Sequence, residues 1–162
     1  MAGSREKAGG VAPHVVELSA FCHATEDCGR VRSSILNLLP PSLRDGVILT
    51  EETTTGYYGN RITVFRARIL EQCEEVLRYI SSIMDETSKS ILRVSIHLRF
   101  DQKARRLTLR FSKQDAFMGK ARLLDSDDVV KIVVHFKGVR DTGRLLEYLE
   151  ELGVASSPSK SP

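Results

Sequence analysis

Residues 105–122 read RRLTLRFSKQDAFMGKAR, and this stretch sets the fold class. Leu107, Leu109 and Phe111 share one face of an extended chain, with Arg106, Thr108 and Arg110 on the other. That two-residue period belongs to a strand that is dry on one side and wet on the other. The strand runs into a basic, glycine-containing turn with no catalytic look. A strand with one wet face fits an antiparallel sheet, whose helices cover a single side.

The pattern extends outward in both directions. Over residues 14–23, Val16, Leu18, Ala20 and Cys22 alternate with Val15, Glu17, Ser19 and Phe21, which predicts a strand. Thr25, followed by Glu26 and Asp27, predicts a helix start with Cys28, Val31, Ile35 and Leu38 inward, ending before Pro40 and Pro41. Residues 47–54 and 61–69 are rich in β-branched side chains and flank TGYYGN, whose Gly56, Gly59 and Asn60 suit a hairpin connection. Leu70, Cys73, Leu77, Ile80 and Met84 recur every three or four residues and predict a helix over 70–84. Residues 86–98 stay open. Leu92, Val94, Ile96, Leu98 and Phe100 alternate as in a strand, while Ile91, Leu92, Ser95 and Leu98 suit a helix capped by Thr87 or Ser88. Beyond the strand at 106–112, a short helical or turn segment spans 113–118 and an acidic bend, LDSDD, leads to a strand at 129–137 with Val130, Ile132, Val134 and Phe136 inward. Thr142 then caps a helix bearing Leu145, Tyr148, Leu149 and Leu152, with Gly153 at its stop. The sum is an α+β fold, a mostly antiparallel sheet with helices packed on one face.

A chain of 162 residues with 41% hydrophobic and 28% charged content has the size and composition of one globular domain. It is expected over 14–153, with polar, disordered segments at 1–13 and 154–162. The net charge of +3 conceals a cluster: residues 88–122 hold ten basic side chains against Asp101 and Asp115, a net of +8. Such a field favours an anionic partner such as nucleic acid, and a solvated surface is the alternative. Cys22, Cys28 and Cys73 form no CxxC and read as small core residues of a reduced, intracellular protein. No apolar run has the length of a leader or a membrane span, so a cytoplasmic location and no membrane partner are expected.

On these alternations the uncovered sheet face shows Glu17, Ser19, Arg66, Arg68, Arg106, Thr108, Arg110, Lys131 and His135. It is basic and polar and lacks the paired aromatics of a sheet that stacks bases. Val15, Phe21, Val129 and Val133 on that face are alternatively a homodimer contact. His14, His23, His97 and His135 have no HxH or HExxH spacing, so neither metal nor cofactor is expected, and no GxSxG or phosphate-cradling glycine loop is present. His23 sits with Thr25, Glu26 and Asp27, either as part of an anion site at a helix N-terminus or as a side chain that fixes the turn. In the hairpin loop Tyr57 and Tyr58 offer rings, Asn60 an amide and Arg61 a cation, with a packed tyrosine as the alternative. Lys113, Gln114, Lys120 and Arg122 could hold a backbone and read a base edge, while Phe117 and Met118 read as a core plug. A non-enzyme is the favoured class.

Three motifs, AFCHATED at 20–27, GYYGN at 56–60 and LRFSKQDAFMG at 109–119, resemble in order those of a family of small archaeal proteins described as RNA-binding or as predicted exosome subunits. The family pattern is CHATED, GxxGNPI and LRxDKQxAxxG; here Arg61 stands where proline is common and Ser112 where aspartate is common. The resemblance implies a ribosomal protein L5-like sandwich, which favours a helix at 86–98, and an accessory role in RNA processing with exosome or ribosomal proteins as partners. It carries RNA contact onto His23, Thr25, Gly59, Asn60, Lys113, Gln114 and Gly119. Tyr57, Tyr58, Arg61, Arg106, Arg110, Lys120 and Arg122 are added from their chemistry alone.

Overall fold

The structure, a computed structural model, describes residues 10–56 and 58–157. Strands β1 (Ala12–His23), β2 (Thr50–Thr55), β3 (Arg61–Ile69), β4 (Phe100–Asp101), β5 (Arg106–Ser112) and β6 (Val129–Lys137) form one six-stranded sheet in the order β2-β3-β1-β6-β5-β4. Every neighbouring pair is antiparallel. Helices α1 (Cys28–Leu36), α2 (Pro41–Arg44), α3 (Cys73–Ile83), α4 (Glu86–Arg99), α5 (Lys113–Phe117) and α6 (Thr142–Leu152) complete the chain. The α+β fold with helices over one face follows from the alternation. Leu18, Leu107, Leu109, Ile132 and Val134 point inward and pack with Ile35, Leu77, Ile80, Leu92 and Leu149 of the helices in one hydrophobic cluster.

The open segment at 86–98 is a helix, and its start explains why. Asp85 caps α4 by accepting from the Ser88 amide at 3.2 Å and its hydroxyl at 2.6 Å, and the Ser88 oxygen accepts the Leu123 amide at 3.0 Å. Asp85, not Thr87 or Ser88, is therefore the cap. Glu86 at the positive end and Arg99 at the negative end suit the helix dipole. Leu92 and Ile96, four residues apart, go into the core, whereas Val94 and Leu98 are 73% and 78% exposed. Apparent strand alternation arose because two apolar faces of one helix interleave in the sequence.

Other boundaries shift for local reasons. Asp27, rather than Thr25, caps α1 by accepting the Gly29 amide at 2.9 Å. Asp141, rather than Thr142, caps α6 through the Arg144 amide. Helix α3 begins at Cys73 after Gln72 adopts a left-handed φ of 62°, so Leu70 lies outside it and is exposed. Strand β2 starts at Thr50 rather than residue 47. Strand β1 begins at Ala12, and Val11, Val154 and Ala155 are buried.

The reduced state expected for all three cysteines holds only for Cys73. Cys22 and Cys28 form a disulfide, because the turn from β1 into α1 brings their Cα atoms to 5.6 Å. If α4 packs as described, Leu92→Ala should cost ~2–5 kcal/mol in urea unfolding, and Val94→Ala should stay within about 0.5 kcal/mol. Equal losses at both positions would overturn the helix.

Candidate nucleic-acid interface

The three motifs gather at one end of the sheet. His23 at the end of β1 pairs across to Ile62 at the start of β3, which brings the 23–27 turn beside the hairpin tip. Gly59 there has a φ of 81°, and its amide reaches back to the Gly56 carbonyl at 3.0 Å, the tight turn for which glycine is suited. Ser112, the end of β5, caps α5 by accepting the Asp115 amide. Helix α5 then docks on α1: the Ser34 hydroxyl donates to the Lys113 carbonyl, and the Asn37 amide donates to the Ala116 and Phe117 carbonyls.

Lys113, expected to contact RNA, is instead the buried centre of this end. It is 5% exposed, and its ammonium donates to the Phe21 carbonyl at 2.7 Å and to both Glu26 oxygens at 3.2 and 3.1 Å, with Asp128 at 3.3 Å. A phosphate could reach it only by breaking these bonds. Burial alone would raise the Glu26 pKa, but the His23 amide and the Lys113 ammonium outweigh it and hold the carboxyl below its ordinary value. His23 itself is exposed; its backbone amide donates to Glu26 Oε1 at 3.0 Å, so this residue takes part in fixing the turn.

The other expected contacts divide between two surfaces. Thr25, Tyr58, Asn60, Arg61, Gln114, Lys120 and Arg122 are exposed around the motif end, while Tyr57 lies outside the described residues. Arg122 donates to Asp115 at 2.8 Å, which, together with the Ser112 hydroxyl, holds that carboxyl below its usual value. Gly119 turns the chain with a φ of 83°, and the Lys120 amide returns to the Asp115 carbonyl. The expected core plug is corrected: Met118 is 71% exposed, and Phe117 is half-buried with the Arg30 guanidinium 4.3 Å over its ring.

Arg106 and Arg110 lie away from these loops, on the open face. Strand register places Arg66, Ser19, Lys131 and Arg110 opposite one another in turn, a single row across four strands. Arg66 is paired with Glu52, and Arg68 with Glu17, so part of the expected basic face is neutralised. Among the described residues, Arg106, Arg110 and Lys131 have no ion pair. Arg110 and Lys131 are direct cross-strand neighbours, an arrangement of like charges that destabilises a sheet. A groove of about 940 Å³ covers the β1–β3 side of this face and another of about 640 Å³ the α4 side, and Arg110, Lys131 and Val133 line both. Lys131 was missing from the sequence-based contact set, although the alternation of β6 already put it on this face.

A family described as RNA binding matches residues 15–136. The chain belongs to that family. It is 31% identical over 126 residues to an uncharacterized protein of Methanocaldococcus jannaschii, covering 75% of this chain and 83% of the relative. It is also 26% identical over 133 residues to a protein of Pyrococcus abyssi named RNA-binding protein, covering 80% and 86%. Solved structures from Sulfolobus solfataricus and Methanothermobacter thermautotrophicus share the fold, with TM-scores of 0.71 and 0.70 at 23% and 22% identity. They cover 86% of this chain in each case, and 96% and 97% of their own. No helix of the described residues is long and apolar enough to cross a membrane.

The Lys113–Glu26 pair makes a pH-dependent prediction about stability. A carboxyl whose folded pKa is depressed stabilises the fold above its unfolded value and loses that contribution as the pH falls through the folded value. Glu26→Gln should therefore be less stable than wild type at pH 7, with the gap closing below about pH 4.5, the ordinary value of a glutamate. Lys113→Ala should lose about 1–3 kcal/mol at neutral pH in chemical denaturation, because the Phe21 carbonyl and Glu26 lose their shared donor.

Proposed function

We propose that this is a non-catalytic, cytoplasmic RNA-binding protein that grips the RNA backbone on the open face of its sheet and serves RNA processing or degradation as an exosome accessory. The observation that carries the reading is the Arg110–Lys131 neighbour pair, two unpaired cations held side by side at the seam of two grooves. Their mutual repulsion is relieved when a phosphate sits between them, and Arg106 extends the cationic line along β5. Membership of the RNA-binding family supports the same ligand class. The exposed loop residues Asn60, Arg61, Lys120 and Arg122 provide a second set of contacts at the motif end. The exosome role and a ribosomal protein L5-like arrangement rest on the resemblance of the three motifs.

A second reading has its own observation. Helix α4 exposes Ile91, Val94 and Leu98 on one stripe, the kind of surface that docks on another protein. In this reading the protein attaches to a ribonuclease or ribosomal assembly without touching RNA. Val94→Asp would then weaken retention on purified exosome or ribosomes and leave RNA affinity unchanged.

Anisotropy titration of labelled single-stranded and duplex RNA, and matching DNA, at two salt concentrations tests the first reading. Wild type should bind RNA with affinity that falls steeply as salt rises. The double variant Arg110→Ala, Lys131→Ala should bind about tenfold more weakly, with the log–log salt slope on single strands reduced by about 0.7 per lost contact. Absence of binding to any nucleic acid at low salt would overturn it and shift the function to protein docking.

A further inference from the structure

Beside the cationic row runs an apolar one. Phe21 and Val64 are cross-strand neighbours, one step along β1 and β3 from Ser19 and Arg66. Phe21 is 50% exposed, while Val64 and Val129 are largely covered. Together with Ile48 and Ile62 they form the apolar part of the 940 Å³ groove whose cations include Arg66, Arg110 and Lys131. Successive same-face positions on a strand are about 7 Å apart and neighbouring strands about 5 Å. The exposed ring therefore lies one nucleotide's reach from the phosphate-binding cations.

We infer that this groove is a base subsite for an unpaired nucleotide of single-stranded RNA, with the base laid against Phe21 and its phosphate on Lys131 and Arg110. The inference rests on the RNA-binding reading above and names the form of RNA that the open face takes. An aromatic face accepts any base by stacking, and a duplex cannot offer one without unpairing. The floor of small and β-branched residues, Ser19, Val64 and Val129, leaves room above it for a flat ring. Glu17 and Asp127 also line the groove. Glu17 is paired with Arg68, so it is Asp127 whose charge repels phosphate, keeps the backbone on the Lys131–Arg110 seam and leaves the neutral base to fill the Phe21 end. A homodimer burying the same apolar row is the competing occupant, and it would seal the subsite.

Binding of the full chain to a single-stranded RNA carrying one 2-aminopurine, and to the same strand annealed into a duplex, tests this. Phe21→Ala should weaken single-strand binding about tenfold and abolish the change in 2-aminopurine fluorescence on binding, while duplex affinity and the salt slope stay as in wild type. Phe21→Tyr should restore both. Unchanged single-strand affinity in Phe21→Ala, with binding still lost in Arg110→Ala, Lys131→Ala, would overturn the base subsite and leave the backbone reading intact. Unchanged affinity in both variants would overturn the two together. A dimer in sedimentation that Phe21→Ala dissociates, without loss of RNA affinity, would assign the apolar row to a second copy and overturn the subsite.

Discussion

Burying an ammonium group costs several kcal/mol unless its protons are all taken. At Lys113 they are, by the Phe21 carbonyl, Glu26 and Asp128. Those acceptors come from the end of β1, the turn into α1 and the start of β6, while the lysine opens α5 directly after β5. One side chain thus joins the termini of the three strands at the heart of the sheet. The disulfide between Cys22 and Cys28 closes the same turn covalently, and Asp27 caps the helix that leaves it. Removing the lysine would leave the Phe21 carbonyl and the half-buried Glu26 carboxylate without their shared donor.

The motif end and the open face differ in how they spend charge. At the motif end each acid has a basic or amide partner: Glu26 with Lys113, Asp115 with Arg122, Asp27 with the Gly29 amide. On the open face Arg110 and Lys131 stand opposed with no acid between them. Satisfied charge fixes geometry, and unsatisfied charge waits for a ligand. That contrast moves Lys113 from the residues expected to meet RNA to those that build the site.

The strands were legible because a half-buried sheet writes a period of two directly into the chain, as in Leu107, Leu109 and Phe111. Residues 91–98 were not, because Leu92 and Ile96 face the core while Val94 and Leu98 face out, and a second apolar face mimics alternation. Lys113 was misplaced because nothing in a run of basic residues marks the one that is buried against carboxylates 87 and 15 positions away along the chain. The disulfide was hidden for a similar reason: a separation of six residues becomes a 5.6 Å approach only once a strand has turned into a helix. Phe21 was correctly placed on the open face, yet its neighbours in space, Val64 and Ile48, belong to distant segments, so the groove around it had no linear signature.

These two regions meet at Phe21. Its side chain lines the groove, while its carbonyl accepts from Lys113 at 2.7 Å and the next residue is held by the disulfide. The ring therefore stands on backbone that is pinned from both sides before any ligand arrives. Ordering a loop on binding draws on the binding energy, whereas a ring on a fixed strand does not. The motif residues that carry the family resemblance thus need not touch RNA to matter for it. By bonding the Phe21 carbonyl and closing the turn that follows, they hold the strand on which the proposed base subsite and its neighbouring cations are displayed.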